Sequence, residues 1–129
     1  MLMDGASEWE DFSLPGYGDG NFNFKGRLFA DFSDVDRSSG EISRLRLFYT
    51  EERKVVYQIV SGSGEEKERR IYVLTLEDQI CHVDNGRQSL TLPSDRILPL
   101  ACRLCGLDNM LENEMQAALR ESLRLLGAA

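Results

Sequence analysis

The sequence predicts an α+β fold: an antiparallel five- or six-stranded, strongly curved or barrel-like sheet closed by two C-terminal helices. Three observations predict it. Apolar and polar residues alternate with a period of two through residues 21–92, as strands require. After Pro93 the apolar spacing becomes that of helices. Strands precede helices without interleaving, which argues against the βαβ units of a parallel sheet. A chain of 129 residues makes one domain. It divides into a flexible acidic arm over residues 1–20 and an α+β domain over residues 21–129, with strands in 21–92 and helices in 94–126.

The arm carries Asp4, Glu8, Glu10, Asp11 and Asp19 before the first basic residue, Lys25, and Pro15, Gly16, Gly18 and Gly20 interrupt regular structure. It also carries Trp9, Phe12, Leu14 and Tyr17. Large apolar residues spaced along an acidic segment suit docking into a partner's groove. In the first strand Phe22, Phe24, Leu28, Ala30 and Phe32 take even positions, with Asn23, Lys25, Arg27 and Asp31 between them; Phe29 alone breaks the alternation. Ser38, Ser39 and Gly40 form a turn. Leu45, Leu47 and Tyr49 then alternate with Arg44, Arg46 and Phe48. Residues 54–61 and 69–76 are rich in Val, Ile and Tyr on both faces and read as central strands, joined by a solvated loop over 62–67.

Asn85-Gly86 between two alternating runs predicts a two-residue type I′ turn. That register sets Asp84 opposite Arg87, His82 opposite Ser89 and Cys81 opposite Leu90. It places Cys81, Val83 and Leu90 on one face and His82 on the other. Pro99 suits the first turn of a helix that runs to Cys105 and stops at Gly106. Asp108 is the expected N-cap of a second helix ending near Leu126, with Glu112 and Glu114 at its start and Arg120 and Arg124 at its end. Leu111, Met115, Ala118, Leu119, Ser122 and Leu126 form its apolar stripe, which Leu123 and Leu125 widen.

Composition excludes some functions. A net charge of −7 and a pI near 4.7 oppose non-specific nucleic-acid binding, which requires cations at phosphates. Arg44, Arg46, Arg69 and Arg70 form a local basic stripe on one sheet face, expected to salt-bridge to nearby carboxylates. No apolar run approaches the ~20 residues of a membrane span. The opening residues lack the basic and apolar regions of a secretory signal. With three cysteines too few and odd in number for a disulfide framework, the expected location is the cytoplasm.

Cys81, His82, Cys102 and Cys105 hold every thiol and the only imidazole of the chain. Cys102 and Cys105 share a helix face, and Cys81 points to the face a following helix covers. His82 projects the other way, so zinc would need a different fourth ligand. The expectation is three buried thiols and no cofactor. A redox dithiol lacks the β-α-β context, and the acidic stretch from Asp34 places glycine one position late for a calcium loop. No nucleophile elbow, phosphate loop or zincin motif is present, so no enzyme activity is expected.

The leading expectation is a non-enzymatic binding protein acting on a protein partner, as a homodimer in one version, through Trp9, Phe12, Leu123 and Leu125. A second is an acidic inhibitor that blocks a basic site on a target through Asp31, Asp34, Asp36 and Glu41. A third is small-ligand binding in a barrel lined by Phe22, Phe24, Tyr49 and Tyr57.

Overall fold

A computed structural model describes residues 9–64, 66–96 and 112–127. Its strands are β1 (Glu10–Tyr17), β2 (Gly20–Val35), β3 (Ile42–Thr50), β4 (Val55–Ser63), β5 (Glu66–Glu77), β6 (Ile80–Asp84) and β7 (Ser89–Pro93). A 3₁₀ turn at Ser94–Arg96 follows β7, and helix α1 spans Glu112–Leu126. The strands pair antiparallel in chain order as a single meander. The α+β class and the strongly curved antiparallel sheet are as the alternation predicts. The strand number is not: there are seven rather than five or six, because the segment read as a flexible arm supplies β1. One helix, not two, lies among the described residues; the helix expected over residues 99–105 falls outside them.

β1 forms because its apolar residues alternate in phase with those of β2. Phe12 pairs with Phe24 and Leu14 with Phe22. Although β1 and β5 stand four strands apart in the sheet, they pack together, so the sheet curls into a half-barrel. Inside the curl Leu14, Phe48, Val56, Ile71 and Val73 are buried, with Phe12, Tyr17, Phe22 and Phe24 around them. On the outer face Leu45, Leu47, Val55, Tyr57, Ile59, Leu74, Cys81 and Val83 pack against Leu119, Leu123 and Leu126 of α1. β4 serves both cores, and its residues Val55 to Ile59 are all buried. That is the central placement predicted by its apolar residues on both faces.

The Phe29 anomaly is a β-bulge. Leu28 faces Phe48 and Ala30 faces Leu47, with Phe29 inserted between them. The extra residue reverses the faces of β2. Even positions up to Leu28 point into the curl, whereas Ala30 and Phe32 point toward α1. A strand read as having one buried and one wet face therefore contributes to both cores.

The turns differ from expectation at two hairpins. The solvated loop expected over 62–67 is mostly strand, because β4 and β5 stay paired out to Ser63 and Glu66. The β6–β7 hairpin differs as well. Asp84 pairs with Ser89 and Cys81 with Leu92, so the β6–β7 loop has four residues. Asn85 N donates to Gln88 O at 3.1 Å, and Asn85 Oδ1 accepts from Arg87 N and Gln88 N. The shift from the predicted register is two residues, an even number, so Cys81, Val83 and Leu90 still share a face opposite His82. The two-residue turn with positive φ at both centres lies instead at Asp78 (50°) and Gln79 (66°), where Glu77 pairs with Ile80.

Gly16 and Gly18 of the supposed arm are contact points. Gly18 N donates to Asn85 O at 3.0 Å, Tyr17 Oη donates to Asp84 Oδ2 at 2.7 Å, and Arg87 pairs with Asp19. A Cβ on Gly86 (φ 90°) would strike the backbone of Tyr17 and Gly18, and one on Gly16 would strike the carbonyl of Arg69. The β1–β2 turn thus docks backbone to backbone on the β6–β7 loop. At the far end of the chain, α1 stops as predicted. Gly127 (φ 97°) donates to the carbonyls of Leu123 and Arg124.

Leu14 roofs the inner core, so Leu14→Ala is expected to cost about 3 kcal/mol in urea unfolding. Deleting residues 1–20 should abolish the cooperative transition. Gly86→Ala, which meets both a collision and a positive φ, should lower stability by more than about 1 kcal/mol in the same assay.

Candidate functional site

β1 covers only part of the concave face. It pairs with β2 from Gly20 to Gly26, and β2 continues to Val35. Beyond Gly26 the inner face of β2 presents Leu28, Asp31, Ser33 and Val35. Leu28 is 41% and Val35 55% exposed, two of the four large apolar residues that are exposed among those described. The bulge makes this stretch polar, because it turns Ala30 and Phe32 to the other side.

On β3 the same face carries Arg44 and Arg46. Asp31 lies directly across from Arg46, Arg46 across from Gln58, and Arg44 across from Val60, which faces Arg69. Arg44 grips Asp31 with two hydrogen bonds, Nε to Oδ1 at 3.0 Å and Nη2 to Oδ2 at 2.7 Å. That grip holds the Asp31 carboxyl below, and the Arg44 guanidinium above, their ordinary pKa values. Both side chains are substantially exposed, so the pair contributes little stability, ~0–1 kcal/mol.

Arg46 is held differently. Its Nε donates to Oε1 of Gln58 at 2.5 Å, and its guanidinium carbon lies 5.4 Å from the centre of the Phe48 ring. Gln58 is 4% exposed, so it anchors the guanidinium from within the core. Among the described residues Arg46 has no carboxylate within ion-pair distance. Partial burial, and then the neighbouring Arg44 charge, lower its pKa, while Asp31 acts weakly the other way. Arg69 and Lys67 extend the positive charge along the inner face of β5. Arg44, Arg46 and Arg69 thus share one face, as expected, but of these three only Arg44 makes the expected salt bridge among the described residues. Arg70 is the exception: it faces Ile59 on the α1 side, with Nε 3.1 Å from Glu68 Oε1.

The other sequence-predicted residues fall elsewhere. Trp9 is half-buried beside Tyr49 (6.3 Å between ring centres) and under the Arg27 guanidinium. Phe12 stacks on Phe24 and meets Phe48 edge-on, so it belongs to the inner core rather than to a free arm. Leu123 is buried against the sheet and serves the protein's own core; Leu125 is half-buried. Asp34, Asp36 and Glu41 are exposed around the β2–β3 turn, where Asp36 Oδ1 accepts from Ser38 N and its hydroxyl. Asp31 is separated from them by its pairing with Arg44 on the inner face. Phe22 and Phe24 line the inner core, while Tyr49 and Tyr57 lie on the α1 side, so these four do not line one cavity. Tyr57 Oη donates to Ser122 Oγ at 2.8 Å, since the Ser122 proton goes to the Leu119 carbonyl.

Cys81 is fully buried on the α1 side opposite Leu92, and His82 lies on the other face between Thr75 and Thr91. Cys102 and Cys105 lie outside the described residues. Among the described residues no three His, Cys, Asp or Glu side chains gather to hold a metal. No helix among them is long and apolar enough to cross a membrane. In comparisons with known proteins, no family model, curated protein or solved structure matches this chain.

Sequence reasoning found the arginines but missed what orders them. The i, i+2 spacing of Arg44 and Arg46 places them on one face; nothing local marks Gln58 as a buried anchor or β1 as too short to cover them. Burial raises the Cys81 thiol to about 11, which leaves little nucleophilic thiolate. Brief alkylation of the native protein at pH 8, mapped by mass spectrometry, should therefore leave Cys81 unmodified, and the same treatment in urea should modify it. Labelling in the native protein would show that the α1 side opens.

Proposed function

We propose that this chain is a non-enzymatic binding protein that acts through contact with another protein, in the cytoplasm and without a cofactor. One observation carries the reading: the concave face is filled by side chains wherever β1 reaches, and beyond β1 it opens into a patch of fixed charge bordered by exposed Leu28 and Val35. Apolar residues beside oriented arginines are the composition of a recognition surface. The contact surface expected at Trp9, Phe12, Leu123 and Leu125 moves accordingly to this open end, and a second copy of the chain is one possible partner. A second reading, an acidic inhibitor of a basic site, draws on exposed Asp34, Asp36 and Glu41 at the adjoining β2–β3 turn.

A photo-crosslinking residue at Ser33, in cells that express the full chain, tests the reading. It should yield one discrete adduct, and the same residue at Arg120 on the exposed side of α1 should yield none. An adduct of twice the chain mass identifies a homodimer. Equal adducts from both positions, or none from Ser33, would remove the basis for contact at the open end.

A further inference from the structure

We propose that the open end binds an extended acidic segment of a partner protein, with Arg46 taking one carboxylate and Arg44 the carboxylate two residues along. The inference rests on the protein-contact reading and names its partner chemistry. Arg46 is the strongest reason. It is a half-buried cation pinned by Gln58 and Phe48, lies beside a second cation, and has no carboxylate within ion-pair distance among the described residues. Asp31, the nearest carboxylate, is turned to Arg44 and compensates Arg46 only weakly, so a partly desolvated charge costs stability that an incoming oxyanion would offset. The guanidinium fork accepts a carboxylate with two parallel hydrogen bonds, so an oriented Arg46 is ready for one.

Spacing selects an extended peptide. Residues two apart on a strand rise ~6.7 Å, and alternate side chains of an extended peptide repeat at the same distance. Acidic residues at alternate positions therefore match Arg44 and Arg46 in step, whereas a single small oxyanion meets only one of them. Arg69, about 10 Å across the sheet from Arg44 by strand spacing, adds attraction at longer range. Charge favours an acidic occupant here even though the whole chain carries −7. Asp31 occupies Arg44 in the free protein through an exposed, weak pair, so an incoming carboxylate exchanges with it.

The probe is a short end-blocked peptide alternating aspartate and serine, labelled for fluorescence anisotropy and titrated with the full chain. Its asparagine counterpart and inorganic phosphate serve as controls. The acidic peptide should bind saturably, more weakly as salt rises, and the asparagine peptide should not bind. Arg46→Gln should weaken binding by about tenfold or more, the loss of one charge-assisted pair, and Arg46→Lys should not restore it fully. Asp31→Asn should tighten binding several-fold, because it frees Arg44 and removes a like charge. A merely structural Asp31 would not do this. The proposal fails if the wild type shows no saturable binding or none that depends on salt. It fails if Arg46→Gln matches the wild type, if Asp31→Asn weakens binding, or if phosphate displaces the peptide equally well. Wild-type dimers that Arg46→Gln dissolves would make a second copy the occupant and overturn it. A Ser33 crosslink that survives Arg46→Gln would end this inference while leaving protein contact at the open end in place.

Discussion

One inserted residue sets the architecture. Without Phe29 as an extra residue, every even-numbered apolar side chain of β2 would lie on one face, and the strand could supply only one core. The bulge divides it. Phe22 and Phe24 enter the half-barrel with β1, and Ala30 and Phe32 join the layer under α1. Bulges also sharpen strand twist, and the sheet curls enough to bring β1 against β5. The reversal also leaves Asp31 and Ser33 facing inward where β1 no longer reaches. The polar open end is thus a consequence of the device that builds two cores from one sheet.

Two cores explain the central strands. Val55, Val56, Tyr57 and Ile59 are buried on alternate sides of β4, each worth ~1.5–3 kcal/mol of transfer free energy. Neither core stands without its cover. The inner one needs Leu14 from β1, and the outer one needs Leu119, Leu123 and Leu126 from α1. The β1–β2 turn is fixed by backbone contact with the β6–β7 loop, which joins the chain's beginning to its sixth and seventh strands. Tyr17 belongs to that junction. Burial and then its hydrogen bond to Asp84 raise the phenol to about 12, so the contact is neutral-to-anion and stays protonated through the physiological range.

Much of this was legible in the sequence, for a physical reason. Period-two alternation fixes faces, and faces survived even where register did not: the four-residue loop at Asn85 shifted pairing by two and left Cys81 opposed to His82. Asn85-Gly86 misled because its glycine answers to the close approach of Tyr17 and Gly18, a long-range demand that local turn preference does not carry. Asp78 and Gln79 adopt the positive φ angles that Asn-Gly was expected to supply, although neither is glycine. The arm misled for a related reason. Its acidic and glycine-rich composition describes the exposed face and the contact points of β1, while the in-phase apolar residues Phe12 and Leu14 were the better guide. Phe29 was visible as an anomaly, but an anomaly in alternation does not say which neighbouring strand absorbs the extra residue.

Arg46 and Gln58 stand against the economy of the rest. Both lie on the inner face beside the apolar row of Phe48, Val56 and Val73, and a pair of apolar residues of similar volume would bury more apolar area without desolvating a cation. Stability alone therefore gives no reason for a guanidinium there. Local violations of packing logic concentrate where a protein meets something else. In this chain the violation coincides with the edge of β1's cover, with the inward turn of Asp31 that the bulge imposes, and with exposed Leu28 and Val35. These features arise on four different strands, yet they converge on one face beyond the reach of β1. That convergence, rather than any single residue, makes the open end the part of the molecule whose composition folding does not explain.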